Sequence, residues 1–246
     1  MTSIRTHQLC KNFGGLAALN DIDLYIQSGE RHAIIGPNGS GKTTLLRAIN
    51  GELESTKGSV FLGSEEITNL PIRSRAKLGL GCTFQHNNSF SNMTTIENIS
   101  IAIQHRLGIA SNLFHNHYTL TEIMSESQHL LYTVGLDMVE DKIVDNLSYG
   151  QQRVLDVAIS LAMKPKVLLL DEPTAGMSIL ETTNMVKLIG QLQDTMTLVL
   201  VEHDMDVVFK LATRITVLHN GKIISKGTPY EIRKDSKVLD YYLGNN

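Results

Sequence analysis

The residues from Gly36 to Thr43 read Gly-Pro-Asn-Gly-Ser-Gly-Lys-Thr, so three glycines precede a lysine and a hydroxyl. That spacing is G-x-x-x-x-G-K-[ST], the pattern of a loop that wraps its backbone N–H groups around nucleotide phosphates at a helix N-terminus. Gly36, Pro37, Asn38, Gly39, Ser40, Gly41, Lys42, Thr43 and Thr44 are therefore candidate phosphate contacts. Lys42 would reach the β- and γ-phosphates, and the Thr43 hydroxyl would join Mg²⁺ together with phosphate oxygens, water and a carboxylate from elsewhere. A glycine-rich turn that merely enters a helix is the plain alternative. It is disfavoured because Arg31 to Ile35 reads as a short buried strand and Thr44 to Ile49 as an apolar-faced helix, the order the motif requires. A second segment supplies the acids. Val167 to Leu170 is apolar and ends in Asp171-Glu172, the form of a Walker B strand. Ligands of open α/β sheets sit at strand C-terminal ends, so Asp171 can hold Mg²⁺ and Glu172 can act as general base on the water that attacks the γ-phosphate.

The elements needed to hold these groups can be read from periodicity. Ser3 to Leu9, Asp21 to Gln27, Arg31 to Ile35 and Ser59 to Leu62 read as strands, some of them forming an antiparallel sheet beside the core. From about Asn87 to Gln152 the spacing turns helical, over Thr95 to Gln104 and Thr121 to Val134, around a polar stretch from Ser111 to Tyr118. After that come a helix from Gln151 to Met163, strands at Lys166 to Leu170, Thr197 to Val201 and Arg214 to Leu218, and helices over Leu180 to Leu192 and Met205 to Leu211. Apolar strands alternating with helices predict a parallel sheet covered on both faces.

Composition excludes several classes. With 246 residues and 42% hydrophobic content the chain can bury a large core, and its net charge of −3 gives no basic field for nucleic acid. Cys10 and Cys82 lie far apart without metal-ligand spacing, which predicts inert thiols in a reducing compartment. No apolar run approaches the roughly 20 residues of a membrane span, and the first residues carry no signal-peptide pattern. The expectation is a cytoplasmic chain that meets a membrane only through a partner.

Leu147-Ser-Tyr-Gly-Gln151 starts the predicted helix with an N-cap hydroxyl, Ser148, and a glycine, Gly150, in its first turn. Exposed N–H groups there form a second phosphate-binding surface. At this segment the chain resembles the ATP-binding subunits of ABC transporters, whose signature is LSGGQ; Tyr149 stands in place of the first glycine. The resemblance spans essentially the whole chain. It implies a P-loop NTPase (RecA-like) α/β core with an antiparallel β-subdomain over residues 1–86 and 153–246, and a helical subdomain over residues 87–152 carrying the signature. It also implies that Ser148, Gly150 and Gln151 bind ATP from a second subunit. Phe13, 23 residues before Gly36, corresponds to an adenine-stacking aromatic, although a strand Phe also fits a core. Gln85 corresponds to the Q-loop glutamine that senses Mg²⁺ and the attacking water. His203 corresponds to the switch histidine on the γ-phosphate, where a lone His would otherwise be a surface or core residue. Ser178 departs from the family, which often has aspartate there, and so removes a charge from the loop that joins the two sites of a dimer.

A narrower resemblance rests on Phe13-Gly-Gly-Leu16, Thr83-Phe-Gln85, Met93 to Asn98, Glu202 to Met205, Gly227-Thr-Pro229 and Tyr242-Leu-Gly244, which look like the branched-chain amino acid transporter ATPases. Ala175-Gly-Met177 and Val217-Leu-His219 look like the urea and short-amide transporter ATPases instead. The implied cofactors are ATP and Mg²⁺. The implied partners are membrane permease subunits, a second ATP-binding subunit and, indirectly, an extracytoplasmic solute-binding protein, which would place the chain on the inner face of the cell membrane. Two rivals are disfavoured: a soluble cassette ATPase acting on nucleic acid or ribosomes would need a long coiled coil or a second cassette, which this sequence lacks, and a P-loop kinase of a small metabolite would need an acceptor pocket and has no use for Leu147 to Gln151.

Overall fold

Strict alternation of apolar and polar residues makes strands with one buried face, and the N-terminal strands follow it. The computed structural model describes residues 2–83, 89–109, 117–192 and 195–238. Its elements begin with β1 (Ile4–Phe13), β2 (Leu16–Ile26), β3 (Arg31–Ile35), α1 (Lys42–Asn50), β4 (Lys57–Leu62), β5 (Glu65–Glu66), α2 (Ile72–Leu78) and β6 (Leu80–Thr83). Three longer helices follow, α3 (Thr95–Leu107), α4 (His117–Val134) and α5 (Tyr149–Ala162). The chain then continues through β7 (Val167–Asp171), α6 (Ile179–Gly190), β8 (Thr197–Val201), α7 (Met205–Leu211), β9 (Arg214–His219), β10 (Lys222–Gly227) and α8 (Pro229–Lys234). Two units emerge, one of Met1–Cys82, Lys166–Glu172 and Ile189–Asn246, the other of Thr83–Pro165 and Pro173–Leu188.

The first unit holds two sheets. One is antiparallel, in the order β2-β1-β4-β5. Along β2, Ile22, Leu24 and Ile26 are buried and the residues between them exposed. β1 loses register with β2 after Thr6, next to Gln8 at φ 46°, and the buried Thr6 hydroxyl repairs the pairing by donating to the Ile22 carbonyl at 2.7 Å and accepting from the Leu24 N–H at 3.0 Å. The other sheet runs β10-β9-β3-β8-β7-β6, with β9, β3, β8 and β7 parallel and β10 antiparallel to β9. Every residue of β7 and β8 is buried, as expected for strands covered on both faces. One face packs Leu45, Leu46 and Ile49 of α1 with Val167, Leu169, Val199 and Val201, and Val208, Ile215 and Ile232 belong to a second cluster. Arg75 of α2 is 3% exposed and donates to the carbonyls of Ala48 and Ile49 at 2.9 and 2.6 Å, and to those of Thr68 and Leu70 at 2.7 and 2.8 Å. Its cation thus sits at the negative end of the α1 dipole.

In the second unit, the apolar stripes of α3, α4 and α5 meet through Ile99 and Ile103, Ile123 and Leu131, and Leu155 and Ala158, all buried. Two small polar residues let α3 and α4 approach closely, with the Ser100 and Ser127 hydroxyls 2.9 Å apart. At one end of these helices the Arg106 guanidinium bonds both oxygens of Glu126, at 2.9 and 2.6 Å, and also the Ala162 carbonyl at 2.8 Å; Lys164 lies 2.9 Å from Glu126.

Candidate functional site

Parallel pairing brings three strand ends to one level. Asp171 of β7 lies opposite Val201 of β8, and Val201 opposite Ile34 of β3. The chain therefore leaves this sheet edge side by side into the glycine-rich loop, into Glu172 and into Glu202-His203, which is where a ligand of an open α/β sheet sits. Glu172 has a left-handed backbone, φ 49°, an uncommon conformation for a residue with a side chain, held by its N–H donating to the Val201 carbonyl at 2.9 Å. The fold thereby turns Glu172 out of the line of its strand, half-exposed beside the loop.

The loop needs its glycines at two points. A Cβ on Gly36 would lie 2.2 Å from the Leu218 carbonyl oxygen, and Gly41, the N-cap of α1, has φ 103° with the Ala18 carbonyl 2.6 Å from where its Cβ would be. The Lys42 ammonium is 6% exposed and donates to the carbonyls of Gly36 and Pro37 at 2.8 and 3.1 Å, so the chain curls around its own cation. Burial lowers the Lys42 pKa, opposed by the charges of Glu172 and Asp171. Asp171 is also 6% exposed, and burial first, then the charge of Glu172, pushes its carboxyl up to about 6. Thr43 Oγ1 stands 3.5 Å from Asp171 Oδ1, at the outer limit of a hydrogen bond.

A pocket of about 500 Å³ opens over this loop. Asn38 to Thr44 and Glu172 line one part, and Phe13, Leu16, Ala17, Ala18, Asn220 and Gly221 the rest. Phe13 is 49% exposed, so its ring is not a core residue, and the Lys11 ammonium lies 5.2 Å from the ring centroid. The donor set fits a magnesium polyphosphate. It offers a buried cation, a helix N-terminus, a buried Ser40 hydroxyl with no partner among the described residues, and a hydroxyl paired with a carboxylate. Among the described residues no group of three or more His, Cys, Asp or Glu could hold a metal alone, so phosphate oxygens would have to complete the shell.

The structure therefore gathers Phe13, Gly36 to Thr44, Asp171 and Glu172 in one unit. His203 belongs to the same unit, just past the end of β8; its side chain is 61% exposed and does not line the pocket, and its N–H donates to the buried Glu202 carboxylate at 3.2 Å. Gln85 lies outside the described residues. Ala17, Ala18, Asn220 and Gly221 carry no motif and reach the pocket only because β2 and the β9–β10 turn fold against the loop, where the Gly221 N–H donates to the Ser40 carbonyl at 3.0 Å.

Ser148, Gly150 and Gln151 belong to the other unit, at the start of α5. Ser148 and Gln151 form a capping box, with the Gln151 N–H donating to the Ser148 hydroxyl at 3.2 Å and the Ser148 N–H donating to the side-chain Oε1 of Gln151 at 3.0 Å. Two neighbours of this helix start lie outside the signature segment's own pattern of contacts. Tyr149 packs on Gly176, whose Cβ would stand 3.1 Å from the ring, and accepts a hydrogen bond from Arg153 at 3.1 Å. Glu181 reaches the helix start from α6, and the only sequence signal for it is the capping pattern Ser178-x-x-Glu181.

A sequence family described as ABC transporter matches residues 19–175. The chain belongs to the ABC transporter family. It is 36% identical over 243 residues to the high-affinity branched-chain amino acid transport ATP-binding protein LivG of Salmonella typhimurium, covering 96% of this chain and 95% of that one. Among solved structures it resembles the ADP conformation of MJ1267, an ATP-binding cassette of an ABC transporter, with TM-score 0.86, 27% identity and full coverage of both chains. It also resembles the dimeric post-hydrolysis state of the ATP-binding cassette MJ0796 bound to ADP and Pi, with TM-score 0.79, 25% identity, and 92% and 98% of the two chains covered. The expected fold, a P-loop NTPase core with a β-sheet subdomain and a helical part, is thus the fold of this ABC cassette.

Proposed function

We propose that this chain is the ATP-hydrolysing subunit of a membrane importer for branched-chain amino acids. The observation that carries the ATPase is the meeting, at one pocket, of the buried Lys42 cation, the out-turned Glu172 and Thr43, whose hydroxyl lies against Asp171 behind it. The solute is inferred from the similarity to LivG, since nothing in a cassette touches the solute.

Lys42 and the loop N–H groups hold the β- and γ-phosphates, and Phe13 stacks on the base. Thr43 and Asp171, with help from Gln85, would hold Mg²⁺, which would supply charge neutralisation on the phosphate oxygens. Glu172 orients a water and takes its proton as the water oxygen bonds the γ-phosphorus and the bond to the β-γ bridging oxygen breaks, leaving ADP with the electron pair. His203 holds the γ-phosphate. Ser148, Gly150 and Gln151 of a second subunit meet the same phosphate from the opposite side, so binding favours a closed head-to-tail dimer and hydrolysis releases it. The dimeric state of MJ0796 with ADP and Pi supports this arrangement. Among the described residues no helix is long and apolar enough to cross a membrane, so membrane attachment would run through permease subunits on the inner face.

The test is to purify tagged Glu172→Gln chain from membranes with ATP and Mg²⁺, identify its companions, and measure leucine and urea uptake in cells lacking the gene. Recovery of a permease pair and loss of leucine uptake support the proposal. Loss of urea uptake alone transfers the solute to short amides, and recovery of ribosomes or nucleic acid alone overturns the transport reading.

A further inference from the structure

The start of α5 already has an anion seated on it. The Glu181 carboxylate stands against Gly150, and the Gly150 N–H and the Ser148 side chain help to lower its pKa. It approaches so closely that a Cβ on Gly150 would stand 2.2 Å from Glu181 Oε1. The other oxygen, Oε2, is occupied by Ser178, accepting from its N–H at 2.9 Å and its hydroxyl at 2.7 Å. One carboxylate thus bridges the first turns of two helices, α5 and α6. These hydrogen bonds, those from Ser178 strongest, hold the Glu181 carboxyl below the usual carboxylate range, so the group is an anion at neutral pH.

We propose that Glu181 is a stand-in for the γ-phosphate, occupying the signature site in the free subunit and being displaced when that site closes on the ATP of a second subunit. The inference rests on the two-subunit reading above. Both groups are oxyanions drawn to the same place, against Gly150 and the Ser148 hydroxyl at the start of α5, and a hydrogen on a donor there serves one acceptor at a time. Two anions cannot share that space without a Coulomb penalty, so closure requires Glu181 to turn away, a side-chain rotation open to a half-exposed glutamate. Ser178 keeps Oε2 while Oε1 lets go, so α6 retains its cap during the exchange. An unoccupied helix N-terminus would attract any cellular anion. The internal carboxylate leaves the site responsive only to a phosphate delivered in the right geometry by a second subunit, which gives Glu181 control over how much ATP is needed to close the dimer.

The test is sedimentation velocity of Glu172→Gln and of Glu172→Gln/Glu181→Gln through a Mg²⁺-ATP titration. Glutamine preserves size and an acceptor for Ser178 while removing the charge. The expected result is that half-maximal dimerisation occurs at about tenfold lower ATP in the double variant. ATP affinity under dilute, monomeric conditions should be unchanged, because the pocket of the other unit is untouched, and the melting temperature of the nucleotide-free chain should change little, because Ser178 keeps an acceptor on an exposed side chain. An unchanged or higher dimerisation midpoint with normal melting overturns the inference. If the glutamine variant melts early, Glu181→Asp, which keeps the charge and the cap but shortens the reach, replaces it with the same criterion. Absence of any ATP-dependent dimer in Glu172→Gln alone overturns the two-subunit reading and this inference with it.

Discussion

Replacing Glu126 by glutamine should loosen the helical unit by an amount that can be worked out from its surroundings. The carboxylate takes two hydrogen bonds from Arg106, at 2.9 and 2.6 Å, and lies 2.9 Å from Lys164. Those partners, the Arg106 hydrogen bonds first, hold its pKa at about 2 against the ordinary 4.5. That depression corresponds to about 3 kcal/mol at the most. Its side chain is 32% exposed, so solvent screening reduces the expected contribution to about 1–2 kcal/mol. The sign is that of a depressed carboxylate. The stabilisation is complete above pH 4.5 and is lost as pH falls toward about 2. Urea unfolding followed by circular dichroism should therefore find Glu126→Gln about 1–2 kcal/mol less stable at pH 7, with roughly half of that gap gone by pH 3.5. The guanidinium left behind is 15% exposed and still bonded to the Ala162 carbonyl, so the variant should remain folded. A gap below about 0.3 kcal/mol at pH 7, or one of the same size at pH 3.5, would refute the assignment.

Three further outcomes are expected. Arg75→Met should cost about 2–4 kcal/mol by urea denaturation, because four carbonyls lose one donor group, and a cost under about 1 kcal/mol would mean that water replaces it. Lys42→Ala should weaken ATP binding by roughly 10- to 150-fold in equilibrium dialysis, the loss of a charge-assisted contact, and affinity within threefold of the parent would remove the loop from the site. Phe13→Ala should weaken ATP by about 2- to 10-fold yet leave tripolyphosphate binding unchanged, and equal losses for both ligands would show that the ring supports the loop and does not stack on a base.

Much of this cassette is legible in its residues, for reasons that differ from place to place. The bounds of Arg31–Ile35 are legible to the residue, because a short apolar run between a polar turn and a glycine-rich loop has few alternatives. β1 and β2 run further than their alternation suggests, to Phe13 and from Leu16, since the bulge near Gln8 interrupts the period without ending the strand. β6, Leu-Gly-Cys-Thr, has neither alternation nor bulk, and its strand form comes from pairing in the sheet. α8 carries its own local signal, since Thr228-Pro-Tyr-Glu231 has a capping box with proline in the first turn. The loop and its two acids follow from spacing alone. The left-handed turn at Glu172, the packing of Tyr149 on Gly176 and the reach of Glu181 to α5 depend on three-dimensional neighbours that no local pattern encodes.

The strand order has a consequence for how the molecule comes into being. Arg31 pairs with Leu198, and His32 with Arg214, so the strand that carries the phosphate loop is flanked on both sides by residues made some 170 positions later. Such distant pairings are slow to find, and on the ribosome they cannot begin until the partners have been synthesised, roughly 10–40 s after the loop itself at ordinary elongation rates. The nascent chain therefore carries a complete phosphate-loop sequence that has no walls. Nucleotide capture is the last property the subunit acquires, and cellular ATP, by binding only the finished sheet, pulls the folding equilibrium toward completion.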